Sequence, residues 1–293
     1  MKPKLRFIIN PISGHGKAAS VEALVNQSQL ASKFNVEINK TLARGHAIEL
    51  AKEAALNNYH GVIAVGGDGT VNEVASSLLN SKTALGIIPM GSGNGLARHL
   101  KIPINPTKAI QYLLSSELKT IDTLKINNWF SVNVSGLGYD GYVAYLFDKA
   151  GKRGLSSYTK IGLREYFSYP IAGFEIEADE KSVNAQAHMV VIANASQFGN
   201  AAIISPRSNL QDGLMDVIIV KRPALIDLPL TFFRLFSGSL KPDKNIQMLQ
   251  CKKLKVKASK ALHLHVDGEP HEPLYALEVQ IVPNSLNVFY GKF

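Results

Sequence analysis

The 293-residue chain has one cysteine, Cys251, one tryptophan and no long apolar run. A lone cysteine excludes an internal disulfide and any cysteine-based zinc cluster; it is read as an inert thiol in a reducing compartment. No apolar stretch approaches the roughly 18 to 20 uncharged residues that cross a bilayer. The basic residues ahead of Phe7-Ile8-Ile9 do not make a secretory leader, because the apolar run stops at Asn10-Pro11. The expectation is a cytoplasmic protein. Acids are in short supply: 23 Asp and Glu stand against 32 Lys and Arg, a net charge of +9. That excess favours anionic partners. Nucleic acid is set aside, since the basic runs carry no interleaved aromatics and no recognisable binding signature.

What is present is the composition of a folded protein, 46% hydrophobic and 19% charged, at a length that fits two domains. Over residues 1–122 apolar runs alternate with helix-like segments. Strands are predicted at Leu5–Ile9, Phe34–Thr41, Gly61–Val65 and Ala84–Pro89. Helices are predicted at Lys17–Leu30, His46–Asn57, Val71–Leu79 and Thr107–Ser115. This is the pattern of a Rossmann-like parallel α/β domain. Residues 123–282 read as an all-β sandwich of short Val- and Ile-rich strands, from Thr120–Ile126 through Trp129–Ser135, Gly173–Ala178, Ala187–Ala193, Leu214–Val220, Leu254–Ala258 and Leu262–Val266 to Leu277–Val282, with helical interruptions at Tyr142–Tyr169 and Leu225–Phe236. The last segment, 283–293, is left free to return to the first domain.

The most informative segment is Gly66-Gly67-Asp68-Gly69-Thr70-Val71-Asn72-Glu73, directly after the apolar run Gly61–Val65. A strand ending in a glycine-rich turn that opens a helix offers a polyphosphate close backbone approach, free N–H donors and a positive helix end. Asp68 adds a carboxylate where a Mg²⁺ accompanying phosphates could be held. A second glycine loop, Gly91-Ser92-Gly93-Asn94-Gly95, follows the next strand. Asn10–Lys17 fits neither the Walker A spacing nor, with four residues before its first glycine, the dinucleotide fingerprint; it is a phosphate loop of another type. In the second half, His263-Leu264-His265-Val266-Asp267-Gly268-Glu269 is the acid-bearing segment. A zinc reading of His263, His265 and Asp267 is disfavoured, since alternate strand positions supply only part of a site. A carboxylate general base fits better, because kinase chemistry needs an acceptor for a hydroxyl proton. Lys253, Lys255 and Lys257 fall on one strand face, either a solvated face or a lipid-surface patch.

Taken together, Asn10–Lys17, Thr41, Gly66–Glu73, Gly91–Arg98, Asp122, Asn209–Asp216 and Asp267–Glu269 resemble the diacylglycerol kinase catalytic-domain family, which includes bacterial soluble lipid kinases and is related to sphingosine and ceramide kinases. The resemblance implies catalysis in a cleft between the two domains, with ATP and Mg²⁺ as cofactors. ATP would be held by Asn10, Pro11, Ile12, Ser13, Gly14, Thr41, Gly66, Gly67, Asp68, Gly69, Thr70, Val71, Asn72, Glu73 and Ser92. Asp68 would help organise the catalytic Mg²⁺, with Asp122 in an acidic network beside it. Asn209, Asp212 and Leu214 would hold a second, structural Mg²⁺. Asp267 and Glu269 map to the region of the proton acceptor, with Glu269 slightly favoured. The implied reaction phosphorylates a lipid hydroxyl, most simply diacylglycerol to phosphatidic acid, at an anionic membrane surface. The Gly-Ser-Gly-Asn form at 91–94 looks closer to the sphingoid and ceramide branch, so that acceptor stays open, as does a soluble one such as NAD. The amphipathic stretch Gly154–Tyr169 is a candidate docking element or a helix packed on the β-domain. A homo-oligomer is allowed.

Overall fold

The computed structural model describes residues 1–151 and 155–291; Gly154, where the expected docking stretch begins, and Lys292–Phe293 lie outside the described residues. The chain divides into two units, one of residues 1–121 with the tail from 284, the other Asp122–Pro283.

The first unit is built on strands β1 (Lys4–Ile9), β2 (Asn35–Lys40), β3 (Gly61–Gly66) and β4 (Ala84–Pro89), all parallel, in the order β2-β1-β3-β4. β1, β3 and β4 are almost wholly buried, as expected of parallel strands covered on both faces. Helix α1 (Val21–Gln27), a short α2 (Leu30–Lys33), α3 (His46–Leu56), α4 (Asp68–Ser77), α5 (Gly95–His99) and α6 (Pro106–Ser115) complete it. α1 packs with α6, and α3 with α4. This two-sided cover follows from right-handed crossovers that run outward to β2 and then back across β1 to β3. The reversal of strand order between β1 and β3 is where such sheets bind ligands, outside the carboxyl ends. The expected helix over Lys17–Leu30 is broken into a 3₁₀ turn at Lys17–Ser20, α1 and α2. α4 starts three residues earlier than its apolar spacing suggests, so Asp68 is its first residue.

The second unit is a β-sandwich of β5 (Ser116–Ile126, whose start belongs to the first unit), β6 (Trp129–Ser131), β7 (Val134–Gly138), β8 (Ala172–Ala178), β9 (Lys181–Ala187), β10 (Met189–Ala193), β11 (Met215–Val220), β12 (Ile246–Cys251), β13 (Lys253–Val266) and β14 (Glu269–Gly291, whose end returns to the first unit beside β4). Helices α7 (Tyr139–Lys149), α8 (Leu155–Glu165) and α9 (Leu228–Ser237) interrupt the strands. β13 serves two sheets. Its first half pairs with β8; its second half meets β7 at Leu264 and His265, after register shifts between Lys257 and Leu264. Such a shift bends a strand from one sheet into the other. Between the sheets lie Leu137, Phe174, Ile176, Val190, Ile192, Val217, Ile219, Leu254, Val256, Leu277 and Val279. A second cluster, Val134, Val191, Ile218, Ile204, Leu240 and Ile246, covers the other face of β10 and β11, which is why Met189–Ala193 and, beyond Asp216, residues 217–220 read as apolar runs.

Two surface elements named in the sequence have defined surroundings. Lys253, Lys255 and Lys257 do alternate with buried Leu254 and Val256, but Lys255 pairs with Glu278 at 3.3 Å, and Glu177 and Glu175 lie opposite Lys255 and Lys257 on β8. Opposite charges across a ladder make this a balanced solvated face. In the stretch after Gly154, Tyr166 and Tyr169 are buried against Tyr139 and His188, so its aromatic side is mostly turned into the unit.

Candidate functional site

In the first unit the loops that leave β1 through β4 are tied to one another rather than merely adjacent. Asn10 donates its N–H to the Val65 carbonyl at 3.0 Å and its side-chain amide to Thr70 Oγ1 at 3.2 Å, while its Oδ1 accepts Ile12 N. Gly14 has φ +61°, and a Cβ there would stand 2.9 Å from the Met90 carbonyl oxygen. Thr41 N donates to the Ile9 carbonyl, and Glu73 Oε1 accepts Gly45 N at 3.1 Å, which fastens the loop after β2 onto α4.

The two glycine loops lie back to back. A Cβ on Gly91 would fall 2.5 Å from Gly67 Cα, so glycine is required for that approach. Asp68 then locks them: its two carboxylate oxygens accept Asn94 N at 2.8 Å and Gly95 N at 2.7 Å. Asn94, in the left-handed region at φ 53°, closes the loop on itself by accepting Gly91 N and donating to the Gly91 carbonyl. Arg98 Nε adds a bond to the Gly93 carbonyl. Gly69 has open space where a side chain would be, and Ser92 is exposed. Glycine-lined main chain with a helix start beside it is a cradle for an anion.

In the second unit the acid segment forms a two-residue hairpin between β13 and β14. Asp267 (φ 51°) and Gly268 (φ 86°) are its corner, and Val266 pairs with Glu269. Asp267 is heavily engaged: Oδ1 accepts Ser131 Oγ at 2.6 Å and Asn133 N at 3.0 Å, and Oδ2 accepts Val132 N at 2.9 Å. These bonds break the strand expected over Trp129–Ser135 into β6 and β7, because residues 132 and 133 give their N–H groups to a carboxylate instead of a ladder. Glu269 is exposed at the head of β14. His265, next to the turn, is buried; its Nδ1 accepts Gly268 N at 3.1 Å, which leaves the proton on Nε2. Nε2 stands 3.3 Å from Asp140 Oδ2 without the alignment of a hydrogen bond. Gly136 makes room for that carboxylate, since a Cβ there would collide with Asp140 Oδ2. His263 is half-buried beside Tyr142 and Tyr145. Among the described residues no three His, Cys, Asp or Glu side chains gather into a metal-binding set.

Asp122 lies with the 209–214 turn: its N–H donates to the Leu210 carbonyl at 2.7 Å and its Oδ2 accepts Gly213 N at 2.8 Å. In the turn itself Asn209 Oδ1 accepts Gln211 N, and Asp212 Oδ1 accepts Leu214 N. Partial burial raises the Asp212 pKa, opposed by the Leu214 N–H, and the charges of Asp216 and Asp122 add to the rise. Asp216 is buried and accepts the hydroxyls of Ser205 and Ser208. Asp140, Ser131, Ser205 and Ser208 carry no sequence signal; each matters only through a partner distant in the chain. Asn94 was visible in its motif, though its role as a loop lock was not.

Comparison with known proteins agrees with this picture. The family model of the diacylglycerol kinase catalytic domain matches residues 4–126, and that of the YegS C-terminal NAD kinase beta sandwich-like domain matches 133–290. A Bacillus subtilis protein named diacylglycerol kinase is 30% identical over 271 residues, 91% of this chain and 89% of that protein. A Pseudomonas aeruginosa protein named probable lipid kinase YegS-like is 28% identical, covering 94% of this chain and 91% of that protein. A crystal structure of a diacylglycerol kinase from Bacillus anthracis shares the fold at TM-score 0.80 and 20% identity, over 99% of this chain and 97% of the other. An NAD kinase from Archaeoglobus fulgidus in complex with ATP shares it more loosely, at TM-score 0.53 and 14% identity over 98% and 94% of the two chains. With a parallel α/β unit ending in facing glycine loops and a β-sandwich unit bearing an acidic hairpin, the chain belongs to the diacylglycerol kinase catalytic-domain family, phosphotransferases of the kinase type, which implies ATP as donor.

Proposed function

We propose that this protein transfers the γ-phosphoryl group of ATP to a lipid hydroxyl, most simply that of diacylglycerol, giving phosphatidic acid. The observation that carries the donor half is the glycine cradle pinned by Asp68, which sets main-chain donors at the carboxyl ends of β1, β3 and β4 before any ligand arrives. Catalysis of phosphoryl transfer is largely positioning and charge stabilisation, so a pre-set cradle is what the chemistry asks for. The likeness to proteins named diacylglycerol kinase and lipid kinase supports a lipid acceptor.

Glu269 is the general base of this reading. Asp267 shares the turn, but its oxygens are already occupied by three donors and its task is to hold the turn in shape. Glu269, exposed on the adjacent strand, takes the proton from the acceptor hydroxyl as the new P–O bond forms and the bond to ADP breaks.

The donor sets suit magnesium. Asp68, at the start of α4 between the two glycine loops, would help hold a hydrated Mg²⁺ accompanying the triphosphate, which would supply charge neutralisation. Asp212, whose pKa is raised by partial burial and then by the charges of Asp216 and Asp122, belongs to a corner that would gain from a cation; the Asn209 and Leu214 carbonyls with the Asp212 carboxylate are the oxygen ligands we assign to a structural Mg²⁺.

Labelled ATP with a panel of diacylglycerol, ceramide, a sphingoid base and NAD tests the reading. Turnover on diacylglycerol, lost in Glu269→Gln, is expected. Equal or better turnover on NAD with no lipid present would overturn it, and preference for a sphingoid base or ceramide would move the acceptor within the lipid class.

A further inference from the structure

In α9 and the turn before it, the usual arrangement of an amphipathic helix is reversed. Leu225, Ile226, Leu230, Phe232, Phe233 and Phe236 are all exposed, six large apolar side chains within twelve residues, with Ile226 at 87% and Phe233 at 67%. No residue of α9 is buried. The helix is held through its other side: Leu235 packs on the cluster over β10 and β11, and its carbonyl accepts Ile203 N at 2.8 Å. A soluble helix normally turns its apolar stripe to the core; here the stripe faces out.

The charges around the stripe point to its partner. Residues 221–245 hold five bases, Lys221, Arg222, Arg234, Lys241 and Lys244, and only two acids, Asp227 and Asp243. Both acids are paired, Asp227 with Lys244 at 3.0 Å and Asp243 with Arg234 at 2.8 Å. The rim is therefore net positive. A second copy of the chain would bring like charges together across such a patch, whereas an anionic lipid surface satisfies both the apolar centre and the basic rim. The lysine ladder of β13 offers no such match, because glutamates face it.

We propose that the outward face of α9 with Leu225 and Ile226 is the surface by which the protein lies on an anionic bilayer, the aromatic side chains seated at the headgroup–acyl boundary. The inference draws its purpose from the lipid-acceptor reading, and it can fail separately.

The test uses the whole protein and vesicles of phosphatidylcholine with and without phosphatidylglycerol. Ile226→Glu/Phe233→Glu should weaken co-sedimentation with the anionic vesicles by at least about tenfold. Phe233→Trp, a mild exchange at an exposed position, should show blue-shifted emission on adding anionic vesicles and none with phosphatidylcholine alone. Turnover of monomeric short-chain diacylglycerol should match in wild type and the double variant, while turnover on vesicles falls with binding. Unchanged vesicle binding and no blue shift would overturn the proposal. So would a double variant that turns an oligomer into a monomer with vesicle binding intact, for the patch would then be a contact between copies. Vesicle binding that depends on Ile226 and Phe233 in a protein that phosphorylates neither lipid form would uphold the surface and sink the lipid-kinase reading.

Discussion

Two turns of the β-sandwich unit carry the acids of the proposed chemistry, and they hold them differently. At Val266–Glu269 the Asp267 carboxylate is surrounded by donors, two main-chain N–H groups and the Ser131 hydroxyl. At 209–214, Asp212 also takes an N–H, from Leu214, but partial burial and then the charges of Asp216 and Asp122 favour its neutral form. A carboxylate met by main-chain donors becomes a structural fastener; a carboxylate with acids for neighbours, each taking donors of its own, is the one we propose a cation would relieve. Glu269, beside the first turn, is a carboxylate set at the surface by a turn that another residue holds in place. The difference separates three roles that composition alone would lump together as acidic loop residues.

The largest effect should come from Glu269→Gln. It removes the proposed proton acceptor without disturbing the Asp267 bonds, so kcat should fall by roughly 10²–10⁴-fold while stability in urea stays at the wild-type value. Steady-state assays with diacylglycerol and a denaturation curve together check it; a retained rate would move the base elsewhere. Asp267→Asn should break the comparison from the other side. The amide presents a donor to groups that are themselves donors, and the charge assistance is gone, so about 2–4 kcal/mol of stability should be lost. Its activity should fall with the turn, and the stability loss is what sets it apart from Glu269→Gln.

The same comparison shows where the sequence was legible. The four parallel strands and the glycine loops stood out because burial on both faces and glycine-rich turns leave local signatures. β9 and β12 were missed: Lys181-Ser182-Val183-Asn184-Ala185-Gln186-Ala187 and Ile246-Gln247-Met248-Leu249-Gln250-Cys251 are polar or only weakly alternating and form because β8 and β11 pair with them. The break between β6 and β7 was invisible, since its cause is Asp267, far along the chain. Asp267 and Glu269 were both legible as acids at one turn. Which of them is a fastener could be read only from the donors at 131–133.

Asp68 extends the rule to the other unit. Like Asp267, it accepts two main-chain N–H groups from a neighbouring loop. Asp68→Asn keeps one acceptor and leaves one N–H opposed, so about 1–3 kcal/mol should be lost and the KM for ATP should rise. The loss should appear in the first unit alone, with urea transitions of the sandwich unchanged; an ATP KM at the wild-type value would mean that the cradle holds without its lock.

The smallest effect, and the one that tests the crowded turn, is Asp212→Asn. The Asn oxygen can still accept Leu214 N, so the change removes charge and little else. Because the folded-state pKa of Asp212 is raised above its ordinary 3.8, the folded protein holds that proton more tightly than the unfolded chain. The stability tied to this group is complete below that value and is lost as pH rises through the folded pKa. At neutral pH without divalent cations the Asn variant should therefore melt slightly above wild type, and the gap should close as the pH is lowered into the acid range. Excess Mg²⁺ at neutral pH should raise the wild-type Tm more than that of the variant, since only the wild type keeps the full charge of the corner. An equal Mg²⁺ shift in both proteins would mean that the acids at this turn, although crowded, do not hold the ion.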